Sequence, residues 1–239
     1  MNGTIYSQYV YDTSVKRGRN IKYYDNGNTN EINVYDSKGI VSNTKYHENG
    51  KIDFKLNRPE SLSKLTDDKG NVLKSIQYDA TYYDKNGTFQ KGRIAYLSNN
   101  PNKKLIGQWS TYNANNILLE LVNYSTYFKK DKYGEQQNVL HGKWAQFYSN
   151  GSKKAAGTYN NGLKDFSEKS YYINGKLKFE VQYSYGWIMN YECFNKLGKP
   201  LDKGTLSNGD GHIYEYDDNG KKTMKTIIKG GVIIQQIKQ

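Results

Sequence analysis

Four side chains in the 239 residues could bind a soft metal or form a nucleophile–base pair: His47, His141, His212 and Cys193. None belongs to a His-x-x-x-His, His-x-His or Cys-x-x-Cys pair, the spacings that bring two ligands to one side of an element. No metal site and no cofactor are expected. Cys193 sits in Tyr191-Glu192-Cys193-Phe194, an alternating strand pattern with no histidine nearby to draw off the thiol proton. It reads as a structural thiol, and a single cysteine rules out an internal disulfide. The acidic pairs Asp67-Asp68 and Asp217-Asp218 each precede a turn glycine. Carboxylates there cap backbone amides, and a calcium loop would need acids at alternate positions closing on a glutamate. No Gly-x-x-x-x-Gly-Lys-Ser/Thr and no Gly-x-Ser-x-Gly occurs, so neither a phosphate loop nor a serine elbow is present. Gly204 to Gly211 is glycine-rich, but no helical pattern follows to aim amides at an anion. The chain reads as a non-enzyme.

The elements that carry these residues are short strands. Hydrophobic residues make up 36%, and 24 Tyr stand against 7 Phe and 3 Trp. Because each tyrosine hydroxyl wants a partner or water, the expected body is thin, with side chains close to solvent. No apolar run approaches the roughly 18 residues of a membrane-spanning helix. The first residues show no basic stretch followed by an apolar run, so no signal peptide is visible and a cytoplasmic location is expected.

Turn signals recur with a period. Asn-Gly pairs begin at Asn2, Asn26, Asn49, Asn86, Asn150, Asn161, Asn174, Asn208 and Asn219, and Lys38-Gly39, Lys69-Gly70 and Gly230-Gly231 add further turn candidates. Asn-Gly suits the type I′ hairpin turn, in which both residues take φ > 0. Steps of 11–13 residues separate neighbouring turns over 26–49, 150–174 and 208–230, and two steps give a hairpin unit of about 23 residues. A finer register supports it. Counting from Gly18, Gly107, Gly142 and Gly211, an aromatic stands five residues on (Tyr23, Tyr112, Phe147, Tyr216) and an asparagine eight on (Asn26, Asn115, Asn150, Asn219). Position nine holds Gly27, Asn116, Gly151 and Gly220. Each run reads as a strand that starts at glycine and ends in a tight turn. Ile117 to Val122 is apolar enough for a helix, but its length and the aromatics after it favour a strand.

These features predict an all-β, elongated antiparallel hairpin array with little or no helix, a single repeat domain over 1–239. Residues 1–17 make an N-terminal strand (Ile5 to Tyr11) and a basic turn. Residues 18–100 hold irregular repeats, poorly periodic around 53–68. Residues 101–140 form a longer apolar unit ending in Lys129-Lys130-Asp131-Lys132, and 141–239 the most regular repeats.

Residues His141-Gly142-Lys143-Trp144-Ala145-Gln146-Phe147-Tyr148-Ser149-Asn150-Gly151, followed by Gly157-Thr158-Tyr159-Asn160-Asn161-Gly162, resemble the bacterial variant of the MORN repeat. Tyr171 to Leu177 and Gly211 to Lys221 look like further copies. The resemblance is good over 141–223 and fair over 18–52, and it extends to YwqK-type antitoxins and immunity-like partners of secreted toxins. It implies a hairpin array used for binding, with no catalytic residue to carry over.

Charge and aromatics suggest what is bound. Lys plus Arg is 35 against 23 Asp plus Glu, a formal charge of +12. Lys16, Arg17, Arg19 and Lys22 form one basic cluster, and Lys221, Lys222, Lys225, Lys229 and Lys238 lie in a terminal stretch with no acid. The first reading is a protein binder, immunity- or antitoxin-like, that occludes a partner with an acidic surface or meets it through Glu31 to Asp36. Its candidate anchors are Trp109, Trp144 and Trp187 with Tyr148 and Tyr214, since such rings bury large area at low entropy cost. The second is a basic binder of nucleic acid or a nucleoprotein through Lys221, Lys222, Lys225 and Lys229. The third is a scaffold or membrane-surface protein. The apolar run Val232 to Ile237 is expected either to cap the array or to stand as an open edge for strand addition or a dimer.

Overall fold

The computed structural model describes residues 7–13, 17–98, 100–130 and 136–239, with only the backbone of Arg17, Asn100, Pro101 and Gln136. Asn2-Gly3, Ile5, Tyr6, Lys16, Asp131 and Lys132, singled out above, lie outside the described residues. The twenty strands are β1 (Ser7–Asp12), β2 (Arg17–Tyr23), β3 (Thr29–Asp36), β4 (Gly39–Tyr46), β5 (Ile52–Asn57), β6 (Thr66–Asp67), β7 (Ser75–Tyr83), β8 (Phe89–Leu97), β9 (Asn100–Tyr112), β10 (Leu118–Tyr124), β11 (Tyr127–Lys130), β12 (Gln136–Gln137), β13 (Gly142–Phe147), β14 (Lys153–Asn160), β15 (Leu163–Tyr171), β16 (Leu177–Ser184), β17 (Trp187–Cys193), β18 (Gly211–Tyr216), β19 (Lys222–Lys229) and β20 (Val232–Lys238). No helix occurs among the described residues, and the apolar run at 117–122 lies mostly in strand β10.

The chain divides into two compact units, Met1–Asn116 with Thr126–Asn138, and Ile117–Ser125 with Val139–Gln239. In the first, β1-β2-β3-β4-β5-β7-β8-β9 follow one another as antiparallel neighbours. The poorly periodic stretch leaves this sheet after β5. Its strand β6 pairs in parallel with β11, Tyr127 opposite Thr66, a pairing that the hairpin pattern did not foretell. The segment lays Leu65 and Phe128 over Ala95, Leu97 and Ile106, all buried. In the second unit, β10-β13-β14-β15-β16-β17 form an antiparallel series and β18-β19-β20 a separate three-stranded sheet. Between these sheets Val181, Tyr191, Cys193, Leu206, Ile213 and Ile228 are buried. The body is therefore thicker in these two places than the tyrosine-rich composition suggested, because segments outside the main series cover one face of it.

Of the four register glycines Gly142 and Gly211 start their strands as expected and Gly18 is second in β2, but Gly107 lies inside β9 at a bulge; β2, β9, β13 and β18 each still run into a turn of one kind. The turn type differs from expectation. In Tyr24 to Asn28 the Gly27 N–H donates to Tyr24 O at 2.9 Å, and the Tyr24 N–H donates to Asn28 O at 2.8 Å. Gly27 has φ +83° while Asn26 is not left-handed, which defines a type I turn with a glycine bulge. The same pattern closes the loops at 47–51, 84–88, 148–152, 172–176 and 217–221. Asparagine serves these loops as an acceptor. Asn26, Asn49, Asn150 and Asn174 Oδ1 each take the N–H two residues on. Among the described Asn-Gly pairs only Asn161-Gly162 and Asn208-Gly209 have both residues at φ > 0, as do Tyr185-Gly186 and Gly230-Gly231. Two turn types thus alternate: five-residue loops at one end of the strands and tight two-residue turns at the other.

Each end has its own ladder. At the loop end, the Tyr24 hydroxyl donates to Tyr46 O at 2.6 Å, Tyr148 to Tyr171 O at 2.8 Å, and Tyr172 to Phe194 O at 2.9 Å. At the turn end of the second unit, the Gly162, Gly186 and Gly231 N–H groups donate to Leu140 O, Lys164 O and Gly209 O. The hairpin period is therefore a hydrogen-bond spacing as well as a chain length.

Candidate functional site

The nine residues proposed from sequence do not gather in one place. Trp109 is buried. Its ring lies 2.4 Å from where a Cβ on Gly92 would stand, its Nε1–H donates to Arg93 O at 3.1 Å, and it stacks on Tyr82 with centroids 6.1 Å apart. Trp144 is buried over Gly157 and tilts against Tyr159 at 6.1 Å. Both tryptophans pack strands together. Tyr148 is half-buried and ties two loops, while Lys221 is exposed in a loop at the same end of the strands. Tyr214 lies beneath Lys222, whose Nζ is 3.5 Å from the ring centroid, and meets the His212 edge at 5.0 Å. Lys222 also pairs with Asp202 at 2.7 Å, and Lys225 Nζ lies 5.9 Å from the Tyr214 ring. Trp187 and Lys229 belong to the turn end; Trp187 is half exposed, and Lys229 faces solvent.

Four exposed apolar residues of the second unit, Leu163, Phe166, Tyr185 and Trp187, lie at or beside the tight turns of that end; Ile173 and Leu197 stand in loops at the other. Leu163 Cδ2 lies 3.4 Å from the place of a Cβ on Gly186, and Trp187 Cβ lies 2.6 Å from that of Gly231. A side chain at Gly231 would displace Trp187, while at Gly186 the left-handed backbone, φ +89°, favours glycine and Leu163 rests against it in ordinary contact; the large residue of one turn thus lies on the backbone of the next. Phe166 and Tyr185 are added to this row. Their relative exposures are 67% and 65%, the largest of the row, and both take left-handed backbone, φ +61° and +47°. Left-handed backbone costs a residue with a Cβ about 1–2 kcal/mol. Two aromatics held this way with their rings in solvent gain no packing in return, and such strain is a pointer to function.

Asp165 holds the two together. It is buried, and its Oδ1 accepts the Tyr185 and Phe166 N–H groups at 3.1 Å each while Oδ2 accepts from Asn160 Nδ2 at 3.1 Å. The Tyr185 N–H above all, then the Asn160 amide, keep its carboxyl below the ordinary carboxylate range against the opposing effect of desolvation. Close by, Lys164 pairs with Glu168 and reaches the Trp144 and Tyr183 rings.

Sequence reasoning missed Tyr185, although a signal existed. Tight turns fall at Asn161, Tyr185, Asn208 and Gly230, so tyrosine stands where the period calls for asparagine or glycine. Phe166 carries no comparable signal.

The residues set aside for chemistry have structural posts. Burial pushes the Cys193 thiol up to about 11, leaving it protonated and unreactive near neutral pH. Asp67 caps the Lys69 and Asn71 amides, and Asp217 those of Asn219 and Lys221. Among the described residues no group of three histidine, cysteine or carboxylate side chains could hold a metal ion.

The described residues define the class as an all-β array of antiparallel hairpins. The MORN repeat variant matches residues 140–161 and 167–185. Between the matched stretches lie 162–166, with Leu163, Asp165 and Phe166. No curated protein matches the chain. Among solved structures, the crystal structure of TcdB2-TccC3-Cdc42 is similar at 11% identity and a TM-score of 0.22, over 92% of this chain and 13% of that one. The crystal structure of TcdB2-TccC3-TEV is similar at 11% identity and a TM-score of 0.15, over 94% and 13%. This chain thus spans only a small part of their length, and at such scores neither similarity carries an argument.

Proposed function

We propose that this chain is a non-catalytic binding protein, immunity- or antitoxin-like, that occludes a partner protein with the turn end of its second unit. The observation behind this reading is the row of Leu163, Phe166, Tyr185 and Trp187, exposed by 49–67%, with the two most exposed aromatics in left-handed backbone. Asp165 fixes the backbone beneath both rings before binding, which lowers the ordering cost of contact, and large exposed aromatics are what interface anchors are made of. The MORN-type repeats support a role in binding.

The test is capture of partners from native-cell extract by the parent chain and by Phe166→Gly/Tyr185→Asn/Trp187→Ala. Glycine and asparagine suit the left-handed positions, so the variant keeps its melting temperature. We expect at least about a tenfold loss of any specifically captured protein, the scale of removing one or two anchors. An unchanged capture profile from a folded variant would overturn the reading. The basic-binder alternative has its own arm: exchange of Lys221, Lys222, Lys225 and Lys229 for Glu. If that exchange, and not the aromatic one, abolishes capture, and nuclease treatment of the extract abolishes it too, the partner is nucleic acid or nucleoprotein.

A further inference from the structure

Among the described residues β20 is the outer strand of its sheet, with β19 on one side and no strand on the other. It does not fold back as a cap. All seven residues are exposed, among them Val232, Ile233, Ile234 and Ile237 at 46%, 47%, 59% and 38%. Natural sheets blunt such edges with charges, bulges or a covering segment. Here Lys238 is the only charge on the strand, and one bulge leaves Ile234 opposite no residue of β19. The stretches 232–233 and 235–238 keep regular register with β19.

The charge along this end of the chain has one sign, and the acids that reach it in space are engaged: Asp210 Oδ1 accepts the Gly230 N–H and Glu215 Oε1 the Thr226 hydroxyl. Residues 219–239 contain five lysines and neither Asp nor Glu. Lys222 is engaged by Asp202. Among the described residues Lys225, Lys229 and Lys238 form no ion pair, and Lys229 and Lys225 face β20 at Val232 and Ile237. A second copy of the strand would bring its own lysines against these, and like charges brought together oppose pairing.

We infer that β20 accepts an extended, acidic segment of a partner protein as an additional strand. The open backbone groups of β20 would give the ladder, apolar side chains of the added strand would meet Ile233 on one face, and its carboxylates would lie on the opposite face, where Val232 and Ile237 stand beside Lys229 and Lys225. This rests on the reading of the chain as a protein binder and names the chemistry of what it binds.

The probe is a capped peptide of about eight residues alternating valine and glutamate, a usual strand length. Controls are its valine–lysine counterpart and the valine–glutamate peptide N-methylated at alternate amides, which keeps the side chains and removes the ladder. The readout is amide hydrogen exchange at 232–238 in the intact chain. The valine–glutamate peptide should slow exchange there by about fivefold or more at saturation, and both controls by less than about twofold. Ile234→Glu should weaken the effect, because a like charge on the edge opposes the glutamate strand. Equal slowing by the N-methylated or the lysine peptide, or none by the valine–glutamate peptide, would overturn the inference. So would concentration-dependent protection of β20 without peptide, the mark of self-pairing. Loss of the peptide effect with partner capture intact removes strand addition alone. Capture that ignores the turn-end substitutions while the peptide still protects β20 removes the turn-end reading instead.

Discussion

Two strand glycines of this protein each lie beneath a tryptophan and opposite a bulge, Gly92 beneath Trp109 of that same bulge and Gly157 beneath Trp144 of the strand on its other side, β13, and the two bulges differ in what they hold. In β8–β9 the register passes from Lys91 opposite Ser110 to Arg93 opposite Ile106, so residues 107–109 bulge against Gly92. In β14–β15 it passes from Ala156 opposite Lys169 to Thr158 opposite Asp165, so 166–168 bulge against Gly157. Both bulges open on a left-handed residue, Gly107 at φ +62° and Phe166 at φ +61°. The backbone problem is the same, and the first hairpin solves it with the residue that bears no strain. The second uses an exposed phenylalanine, and the position before it changes from buried Ile106 to buried Asp165. One bulge serves packing. The other holds an aromatic outward and uses a carboxylate to fix it there.

The largest effect should come from filling the glycines. A Cβ on Gly92 would lie 2.4–2.6 Å from three ring atoms of Trp109, and one on Gly157 2.8 Å from Trp144 Nε1. Gly92→Ala should cost about 2–3 kcal/mol and Gly157→Ala about 1–2 kcal/mol by overpacking, measured by urea unfolding. Equal costs would mean that the two tryptophans are equally free to move.

Exchanging the bulge residues tests the comparison most directly. Nothing lies within 4 Å of a Cβ on Gly107, so Gly107→Phe meets no obstacle beyond its own backbone. It should destabilise by about 1–2 kcal/mol. Phe166→Gly should stabilise by about 0.5–1 kcal/mol, the relief of strain less the entropy of glycine. A destabilised Phe166→Gly would show that the ring packs and is not held out for a partner.

A third difference lies in the indoles. Trp109 Nε1–H is bonded to Arg93 O, whereas Trp144 Nε1 is buried without a partner among the described residues. Trp109→Phe should therefore cost about 1 kcal/mol more than Trp144→Phe in parallel unfolding curves.

The smallest effect is on acid response. The Asp165 carboxyl is depressed in the folded chain, so its contribution is complete above the unfolded value of about 3.9 and fades as pH falls through the lower folded value. The protection of the Tyr185 amide, taken against its intrinsic exchange rate at each pH, should fall on acidification by more than that of Trp109. Asp165→Asn, which keeps an acceptor without a titrating proton, should abolish that excess.

What was legible in the sequence follows from distance along the chain. The loops could be read from Gly18, Gly107, Gly142 and Gly211 because every residue that closes them lies within ten positions. The turn type was misread because asparagine has two uses: left-handed backbone at Asn161, and a side-chain acceptor at Asn26 and Asn150. Tyr185 was readable only as a break in an otherwise regular series. The parallel pairing of Thr66 with Tyr127 was beyond reach, since its partners are far apart and neither carries a pattern. Burial of Trp109 and Trp144 depended on Gly92 and Gly157, glycines inside strands that no turn required.

The tyrosine hydroxyls that tie Tyr24 to Tyr46, Tyr148 to Tyr171 and Tyr172 to Phe194 span 22 or 23 positions each. Such a rung tolerates no slippage, because one inserted residue would swing the next carbonyl to the opposite face of its strand. A chain with these rungs can grow or shrink only by whole hairpins. Its length in related organisms should therefore change by duplication and loss of complete modules, with small insertions confined to segments such as 58–74 that stand outside the rungs.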